Sequence, residues 1–238
     1  MTTSLVDSVS VEKLLRMLSS SLGKTADRVA RGEIGVVLRE LELLSLRQNP
    51  FATTDSYVAE WQGLFEKIWP GRKFDLSMVV VPIDKRGFER VIIVPQGLTL
   101  NEVIEVYNQR FTVNNMLESS LKPKIRHNQR TADNGSYAIR CRNSREPDEE
   151  LAKKSLIEID SSGKTTMTLL ERLIFGLKYF DETDNHLDLK KVTLCSGSHV
   201  LYGGTLTVTW NGRRIDIGLF NPADWTPTVQ AREVISLT

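Results

Sequence analysis

The segment 195–199, with the sequence CSGSH, carries the residue types from which hydrolases assemble a nucleophile and its base. A thiol or hydroxyl becomes a nucleophile when an imidazole removes its proton. Cys195 or Ser198 could be paired in this way with His199 or with His186. However, the segment lacks the G-x-S-x-G pattern of a nucleophile elbow, and a cysteine at a strand end is typical of a small buried hydrophobic residue. A hydrolase is therefore an alternative interpretation and not the favoured one.

A second segment, 161–166 with the sequence SSGKTT, has the setting of a phosphate-binding loop, because it follows a possible strand at 156–159 and precedes a helical pattern. The phosphate-binding pattern G-x4-G-K-[ST] requires a glycine at position 158. This chain has Glu158 there, and its carboxylate would repel a phosphate. We therefore predict an exposed turn before the helix and no nucleotide cofactor.

The three histidines of the chain, His127, His186 and His199, are dispersed along the sequence. Neither a C-x-x-C nor an H-E-x-x-H pattern brings metal ligands together. His186 and Asp188 lie on alternate positions, which is too small a ligand set for a metal ion. We therefore expect no metal and no other cofactor.

Basic residues are concentrated between positions 122 and 145, where Asp133 is the only acid. They are Lys122, Lys124, Arg126, Arg130, Arg140, Arg142 and Arg145. Phosphate backbones attract such patches, and Tyr137 or His127 could stack on a base. Four acids follow within residues 146–150, so the arginines could instead form ion pairs inside the fold. Nucleic-acid association through residues 122–145 is therefore the main alternative function.

Aromatic and short polar residues gather near the turns of the C-terminal strands. The candidate ligand-binding residues are Tyr202, Asn211, Trp225 and Ser198, because side chains of these types make good recognition surfaces. The competing interpretation is that Trp210 and Trp225 are core residues and that the polar residues serve the turns. We therefore treat the hairpin tips as the candidate binding surface.

The helical patterns come first along the chain. Apolar spacing predicts a helical N-terminal unit over residues 1–70, whose last helix has Trp61 on its apolar face and Asp55 as a candidate cap. Two capping boxes, Thr99 with Glu102 and Thr168 with Glu171, mark the starts of later helices. After residue 70, the patterns predict a helix from Thr99, a polar loop over 112–135, a helix start at 147–150 and the clearest helix at 168–180.

Runs of β-branched residues predict strands in the rest of the chain. The predicted strands are 78–81, 91–94, 137–142, 192–194, 205–210, 214–219 and 229–235. The residues 84–87 between the first two suggest a hairpin. Asn211-Gly212 is the strongest hairpin signal, since both residues tolerate the positive φ of a type I′ turn. These elements predict an α+β fold in which residues 72–238 form a domain with an antiparallel sheet and two or three helices.

The composition restricts the class of protein. The chain has 238 residues and a formal net charge of +1, so no global field recruits nucleic acid or a membrane. It has only two cysteines, which favours a reducing compartment over a disulfide framework. The first 15 residues do not read as a signal peptide, and no apolar run is long enough to span a bilayer. A soluble, cytoplasmic protein with no membrane partner is the expectation.

The C-terminal sequence resembles a family of uncharacterised bacterial open reading frames. The shared order is a YAV-like strand (here YAIRC), DEEL, TLLERL, LKYF, HLD, TLCSGS and a tryptophan-containing hairpin, within about residues 100–236. The resemblance implies no activity, but it includes the HLD and CSGS segments and leaves out GKTT. The ending is also similar to a C-type-lectin-like module, in which tryptophan, glycine and arginine punctuate short strands.

Taken together, the patterns favour a non-catalytic binding or interaction protein. Its ligand surface would be the hairpin tips, and the N-terminal helices would serve self-association or a protein partner. No acid–base, metal or nucleophile pattern is strong enough to displace that interpretation.

Overall fold

The computed structural model describes residues 53–116, 125–152, 154–201, 204–221 and 226–237. Within them the chain forms both helices and mixed sheets, which confirms the α+β fold. The α-helices are α1 (Thr54–Ile68), α2 (Leu100–Arg110), α3 (Leu156–Ser161) and α4 (Leu169–Thr183), and a short 3-10 helix covers Glu149–Leu151. The predicted helices of residues 1–52 lie outside the described residues.

The strands form two sheets. Their bounds are β1 (Arg90–Val94), β2 (Val113–Asn115), β3 (Ile125–Asn128), β4 (Tyr137–Cys141), β5 (Val192–Val200), β6 (Thr205–Trp210), β7 (Ile215–Phe220), β8 (Val229–Ala231) and β9 (Val234–Ile235). The smaller sheet has the order β1-β4-β9. The larger sheet has the order β2-β7-β6-β5-β3, and β8 pairs with β5 in parallel.

Helix α4 is the central element because it contacts β1 of the smaller sheet and both β5 and β6 of the larger one. Its N-cap is Thr168, whose side chain accepts the N–H of Glu171 in the predicted capping box. Leu173 and Phe175 are fully buried in the core beneath the sheets. Burying side chains of this size stabilises the fold by about 1.5–3 kcal/mol each.

Helix α1 packs into the same core. Trp61 and Phe65 are each 1% exposed and belong to the hydrophobic cluster that contains the β1 residue Ile92. The cap of α1 is Thr53, in a capping box with Ser56, and not Asp55. The sequence patterns predicted that this helix belongs to an N-terminal unit over residues 1–70. In the structure, Thr53–Thr238 forms one compact unit that contains it.

The first predicted hairpin is wrong. Residues 78–81 form no strand, and β1 pairs antiparallel with β4 instead. Pro82 follows this segment and offers no N–H to a neighbouring strand, and Arg140 Nε donates to the Pro82 carbonyl across 2.7 Å. The β-branched residues therefore predicted the strand at 91–94, but neither a strand at 78–81 nor the partner of β1.

Several other boundaries differ from the sequence patterns. The Asn211 hairpin is present, but four residues separate the paired residues Trp210 and Ile215, and Gly212 alone among those four has a positive φ. The polar stretch 112–135 contains β2 and β3, and 156–159 lies in helix α3 rather than in a strand. The run 229–235 is split between β8 and β9, which belong to different sheets.

Candidate binding pocket

Strand β5 carries a bulge at the CSGS segment. Cys195 pairs with Leu206, but the next pair with β6 joins His199 to Thr205, so residues 196–198 leave the β5–β6 ladder, although Ser198 still pairs with Asn128 of β3. The Thr205 hydroxyl closes the bulge, since it lies 3.0 Å from the Cys195 carbonyl and 2.8 Å from that of Ser198. Bulges of this kind redirect side chains and are common next to functional sites.

The bulge packs against the chain that leads into α4. The Gly197 N–H donates to the Met167 carbonyl across 3.1 Å, and its carbonyl accepts the Gln129 N–H across 2.8 Å. A Cβ at position 197 would lie 2.6 Å from the Thr166 carbonyl oxygen. Glycine is therefore required here by the close approach of two backbone segments.

Ser198 is held at the start of α4 by two hydrogen bonds. Its Oγ accepts the Leu169 N–H across 2.9 Å and donates to Asn128 Oδ1 across 2.5 Å. The bond to Leu169 satisfies one of the amides that a helix leaves unpaired in its first turn. Ser198 thus joins the bulge, β3 and α4 at a single point.

Arg130 lies beside the same helix end in a buried cluster with Glu171. Arg130 Nε and Nη2 donate to the two carboxylate oxygens of Glu171 across 2.7 and 2.8 Å. Glu171 also accepts the Tyr137 hydroxyl and the Thr168 N–H, across 2.9 and 2.8 Å. The side chains of Arg130 and Glu171 are 2% and 0% exposed. We name these residues, with Tyr137, the Arg130 cluster.

One nitrogen of Arg130 has no hydrogen-bond partner. Nη2 donates to the Thr166 carbonyl as well as to Glu171, whereas the buried Nη1 contacts no acceptor in the described part of the chain. Nε and Nη2 form one edge of the planar guanidinium, so Nη1 lies on the opposite side, away from the carboxylate. Most buried donors in folded proteins are paired, and an exception calls for an explanation.

A pocket of about 280 Å³ lies where these groups meet. The N-terminal ends of α2 and α4 form two of its walls, through residues 97–100 and 168–170. Its apolar lining consists of Leu98, Leu100, Ile125, Ala132, Leu169 and Leu170. Seven residues with polar side chains also line it: Thr99, Asn128, Arg130, Thr131, Asp133, Thr168 and Ser198. We call it the α2–α4 pocket.

The charges around the pocket are fixed by burial and pairing. Burial alone would lower the pKa of Arg130, but the Glu171 carboxylate outweighs it and raises that pKa above its ordinary value. Burial and the Glu171 charge both raise the pKa of Tyr137. The arginine is thus a permanent cation and the tyrosine a neutral donor at every physiological pH.

The groups of the hydrolase interpretation do not form an activated nucleophile. Burial raises the pKa of the fully buried Cys195 thiol to about 12, and the hydrogen-bond partner of the Ser198 hydroxyl is an amide oxygen, which is not a base. His199 stacks on His127 with a centroid distance of 6.3 Å, and His186 stacks on Trp210 at 3.8 Å. In the described ranges, no three His, Cys, Asp or Glu side chains are grouped to hold a metal ion.

Most of the described basic residues of segment 122–145 contact other parts of the fold. Arg130 binds Glu171, Arg140 binds the Pro82 carbonyl, Arg142 contacts Asp148, Glu150 and Glu233, and Arg145 binds the His186 carbonyl. Arg126 is exposed. Lys122 and Lys124 lie outside the described residues. The structure therefore does not gather the described arginines on one exposed face.

The predicted hairpin-tip residues are only partly described. Asn211 Oδ1 accepts the N–H groups of Arg213 and Arg214, and its Nδ2 donates to Asp216, so the side chain serves its own turn. Tyr202 and Trp225 lie outside the described residues. Of the two described candidates, Ser198 lines the α2–α4 pocket and Asn211 does not.

Sequence reasoning missed the combination of residues that forms the pocket. Thr168 and Glu171 were recognised as a capping box, and Arg130 as one of seven basic residues. No sequence pattern links Arg130 to Glu171, because 41 positions separate them. The one sequence signal for this pocket is Gly197, which lies between Ser196 and Ser198. A glycine is needed there because the backbone of the bulge approaches the Thr166 carbonyl closely.

No family model, curated protein or solved structure matches this chain. Among the described helices, none has the length and apolar character needed to cross a membrane.

Proposed function

We propose that this protein is a non-catalytic binding protein that holds a small organic molecule in the α2–α4 pocket. The observation that carries the proposal is the bulge of β5, where Ser198 leaves the β5–β6 ladder and lines a pocket that has both polar and apolar walls. Ligand sites are commonly apolar concavities with a few convergent polar groups. Here those groups are Asn128, Arg130 and Ser198.

The polar groups are held in place before any ligand arrives. Ser198 is fixed by Leu169 and Asn128, and Arg130 is fixed by Glu171 and the Thr166 carbonyl. Side chains that are already ordered lose little entropy on binding, which favours affinity. The volume of about 280 Å³ suits a molecule with a single ring or a short chain.

The chemistry of the same residues supports binding rather than catalysis. Ser198 donates to an amide, and Cys195 is sealed in the core with its pKa raised to about 12. Neither arrangement supplies the thiolate or alkoxide that a covalent mechanism needs. The pocket thus offers recognition groups without an activated nucleophile.

The test is a titration of the ¹⁵N-labelled full chain, followed by the backbone amide resonances in NMR. The probes are benzoate, benzamide, benzylamine and phenyl phosphate at millimolar concentration. At least one should shift the resonances of Asn128, Leu169 and Ser198. If none of the four shifts these resonances, the proposed function is wrong.

A pocket-filling variant supplies the control. Leu170→Trp places a large ring at the pocket wall and should abolish the shifts. Leu219→Trp adds the same ring on β7, where Leu219 is 46% exposed and lies outside the pocket, and should leave them unchanged. Circular dichroism checks that both variants fold. If Leu170→Trp does not fold, Ser198→Ala replaces it as the test of the pocket.

A further inference from the structure

We propose that the α2–α4 pocket recognises a carboxylate monoanion, and that Arg130 Nη1 is the group that donates to it. The inference rests on the proposed function and adds to it the chemical class of the ligand. It starts from the unpartnered guanidinium nitrogen beside two helix N-termini.

The donors of Arg130 can be counted. A guanidinium has five N–H groups. The N–H of Nε goes to Glu171, those of Nη2 go to Glu171 and the Thr166 carbonyl, and those of Nη1 have no acceptor among the described residues. A buried charged donor without a partner is unfavourable, and an anionic acceptor is its strongest partner.

Glu171 cannot supply that acceptor. Its two oxygens already accept from four donors: Arg130 Nε, Arg130 Nη2, the Tyr137 hydroxyl and the Thr168 N–H. These contacts hold the carboxylate on one edge of the guanidinium. The opposite edge is left for a group that enters the pocket.

The backbone around the pocket favours negative charge. The N-terminal ends of α2 and α4, with 11 and 15 residues, both line it. Each helix start carries roughly half a positive elementary charge from its aligned peptide dipoles. The nearby acid Glu102 caps α2 and pairs with Arg72, so its charge is already compensated.

The same balance argues against a dianion such as a phosphate monoester. Glu171 compensates most of the Arg130 charge, and Asp133 also lines the pocket. A single negative charge meets one guanidinium edge and two helix starts, whereas a second charge would face these carboxylates. The apolar wall formed by Leu98, Leu100 and Leu169 suits the hydrocarbon part of an organic acid.

The experiment compares probes of one shape and different charge on the wild-type chain. Benzoate should bind at least tenfold more tightly than benzamide, which is neutral, and benzylamine should not bind. Benzoate should also shift the guanidinium resonances of Arg130. Equal affinity for benzoate and benzamide would overturn the anion inference and leave the proposed function standing. Tighter binding of phenyl phosphate than of benzoate would overturn the assignment to a monoanion.

The variant Arg130→Lys tests the residue itself. Lysine keeps the positive charge and can still reach Glu171, but it lacks the second guanidinium edge that would donate to the ligand. Loss of a charge-assisted hydrogen bond should weaken benzoate binding about 10- to 100-fold. Arg90→Lys is the matched control, because Arg90 pairs with Glu182 and does not line the pocket. Unchanged benzoate affinity in folded Arg130→Lys would overturn the assignment. The charge comparison on the wild-type chain decides the ligand class if that variant fails to fold.

Discussion

Two buried arginine–carboxylate clusters in this protein use the same chemistry to different ends. In the Asp188 cluster, Asp188 accepts from Arg172 Nε, Arg232 Nη2 and the Thr193 hydroxyl across 2.8, 2.6 and 2.5 Å. The Arg130 cluster pairs Arg130 with Glu171 at similar distances. All four of the residues Asp188, Arg172, Arg130 and Glu171 have side chains that are at most 2% exposed.

The clusters differ in whether every buried arginine nitrogen has a hydrogen-bond partner. Arg232 also donates to the carbonyls of Ser144 and Arg145, and neither Arg172 nor Arg232 retains a buried nitrogen without a partner. Arg130 retains one, Nη1, with no partner among the described residues, and Arg130 is one of the residues that line the α2–α4 pocket. A saturated cluster can only hold the fold together, whereas an unsaturated one beside a pocket can also receive a ligand. Burial of an arginine alone therefore does not tell the two roles apart; its donor count does.

The largest effect is expected from Asp188→Ala. It leaves Arg172 and Arg232 buried without their carboxylate, which should lower the free energy of unfolding by about 3–5 kcal/mol. Urea denaturation measures the change. The control Asp181→Ala removes an exposed ion pair with Lys67 and should cost less than about 1 kcal/mol. A loss in Asp188→Ala no larger than that of the control would show that the Asp188 cluster is not structural.

Gly197→Ala should have the next largest effect, because it acts on the bulge that packs against the chain leading into α4. The new Cβ would lie 2.6 Å from the Thr166 carbonyl, and overpacking of this kind costs about 1–3 kcal/mol. The control is Gly63→Ala in α1, where a Cβ meets nothing within 4 Å. That exposed helical position should gain about 0.5–1 kcal/mol. Equal stability of the two variants in thermal denaturation would contradict the close approach described here.

Removing both charges of the Arg130 cluster should change stability little. In Arg130→Leu with Glu171→Gln, the amide oxygen can still accept the Thr168 N–H, the amide nitrogen can donate to the Tyr137 hydroxyl oxygen, and no charge remains in this cluster. Replacing a buried pair as a unit is often neutral or stabilising, so the free energy of unfolding should stay within about 1 kcal/mol of wild type. Benzoate binding should be lost. A drop of the size expected for Asp188→Ala would show that both clusters serve the fold.

The smallest expected effect is the pH dependence of stability that His186 causes. Burial and the positive charge of Arg172 lower the pKa of His186 below its ordinary value of 6.5. The unfolded chain then binds a proton before the folded chain does, so stability should fall as pH decreases through 6.5. His186→Phe keeps a ring on Trp210 without the titration, and should reduce the pH dependence of the melting temperature. An identical pH dependence in both proteins would contradict the assignment.

Local chemistry predicted helices α1, α2 and α4, but not the short helix α3. The capping boxes at Thr99 and Thr168 are both present, and the helix predicted over 168–180 is α4. These signals are readable because the interacting groups lie within four residues of one another. The strand 205–210 is likewise present, because its alternation and the Asn211 turn act locally.

Long-range pairing was not predictable from the same patterns. Residues 78–81 and 91–94 looked like a hairpin, yet β1 pairs with β4 after an intervening helix. Ser198 and Arg130 were both singled out, but for different functions, and nothing in the sequence placed them in one pocket. Their meeting depends on the β5 bulge and on the packing of α4, which are properties of the whole fold.

The path of residues 229–235 has a consequence for how the protein folds during synthesis. β8 completes an edge of the larger sheet on β5, and β9 completes the smaller sheet on β4, with only Arg232 and Glu233 between them. Arg232 reaches Asp188 from that link. These strands leave the ribosome after every other described element, so neither sheet is complete until all of those elements have been synthesised. Until then the chain exposes unpaired strand edges, a state that is prone to aggregation and to chaperone capture.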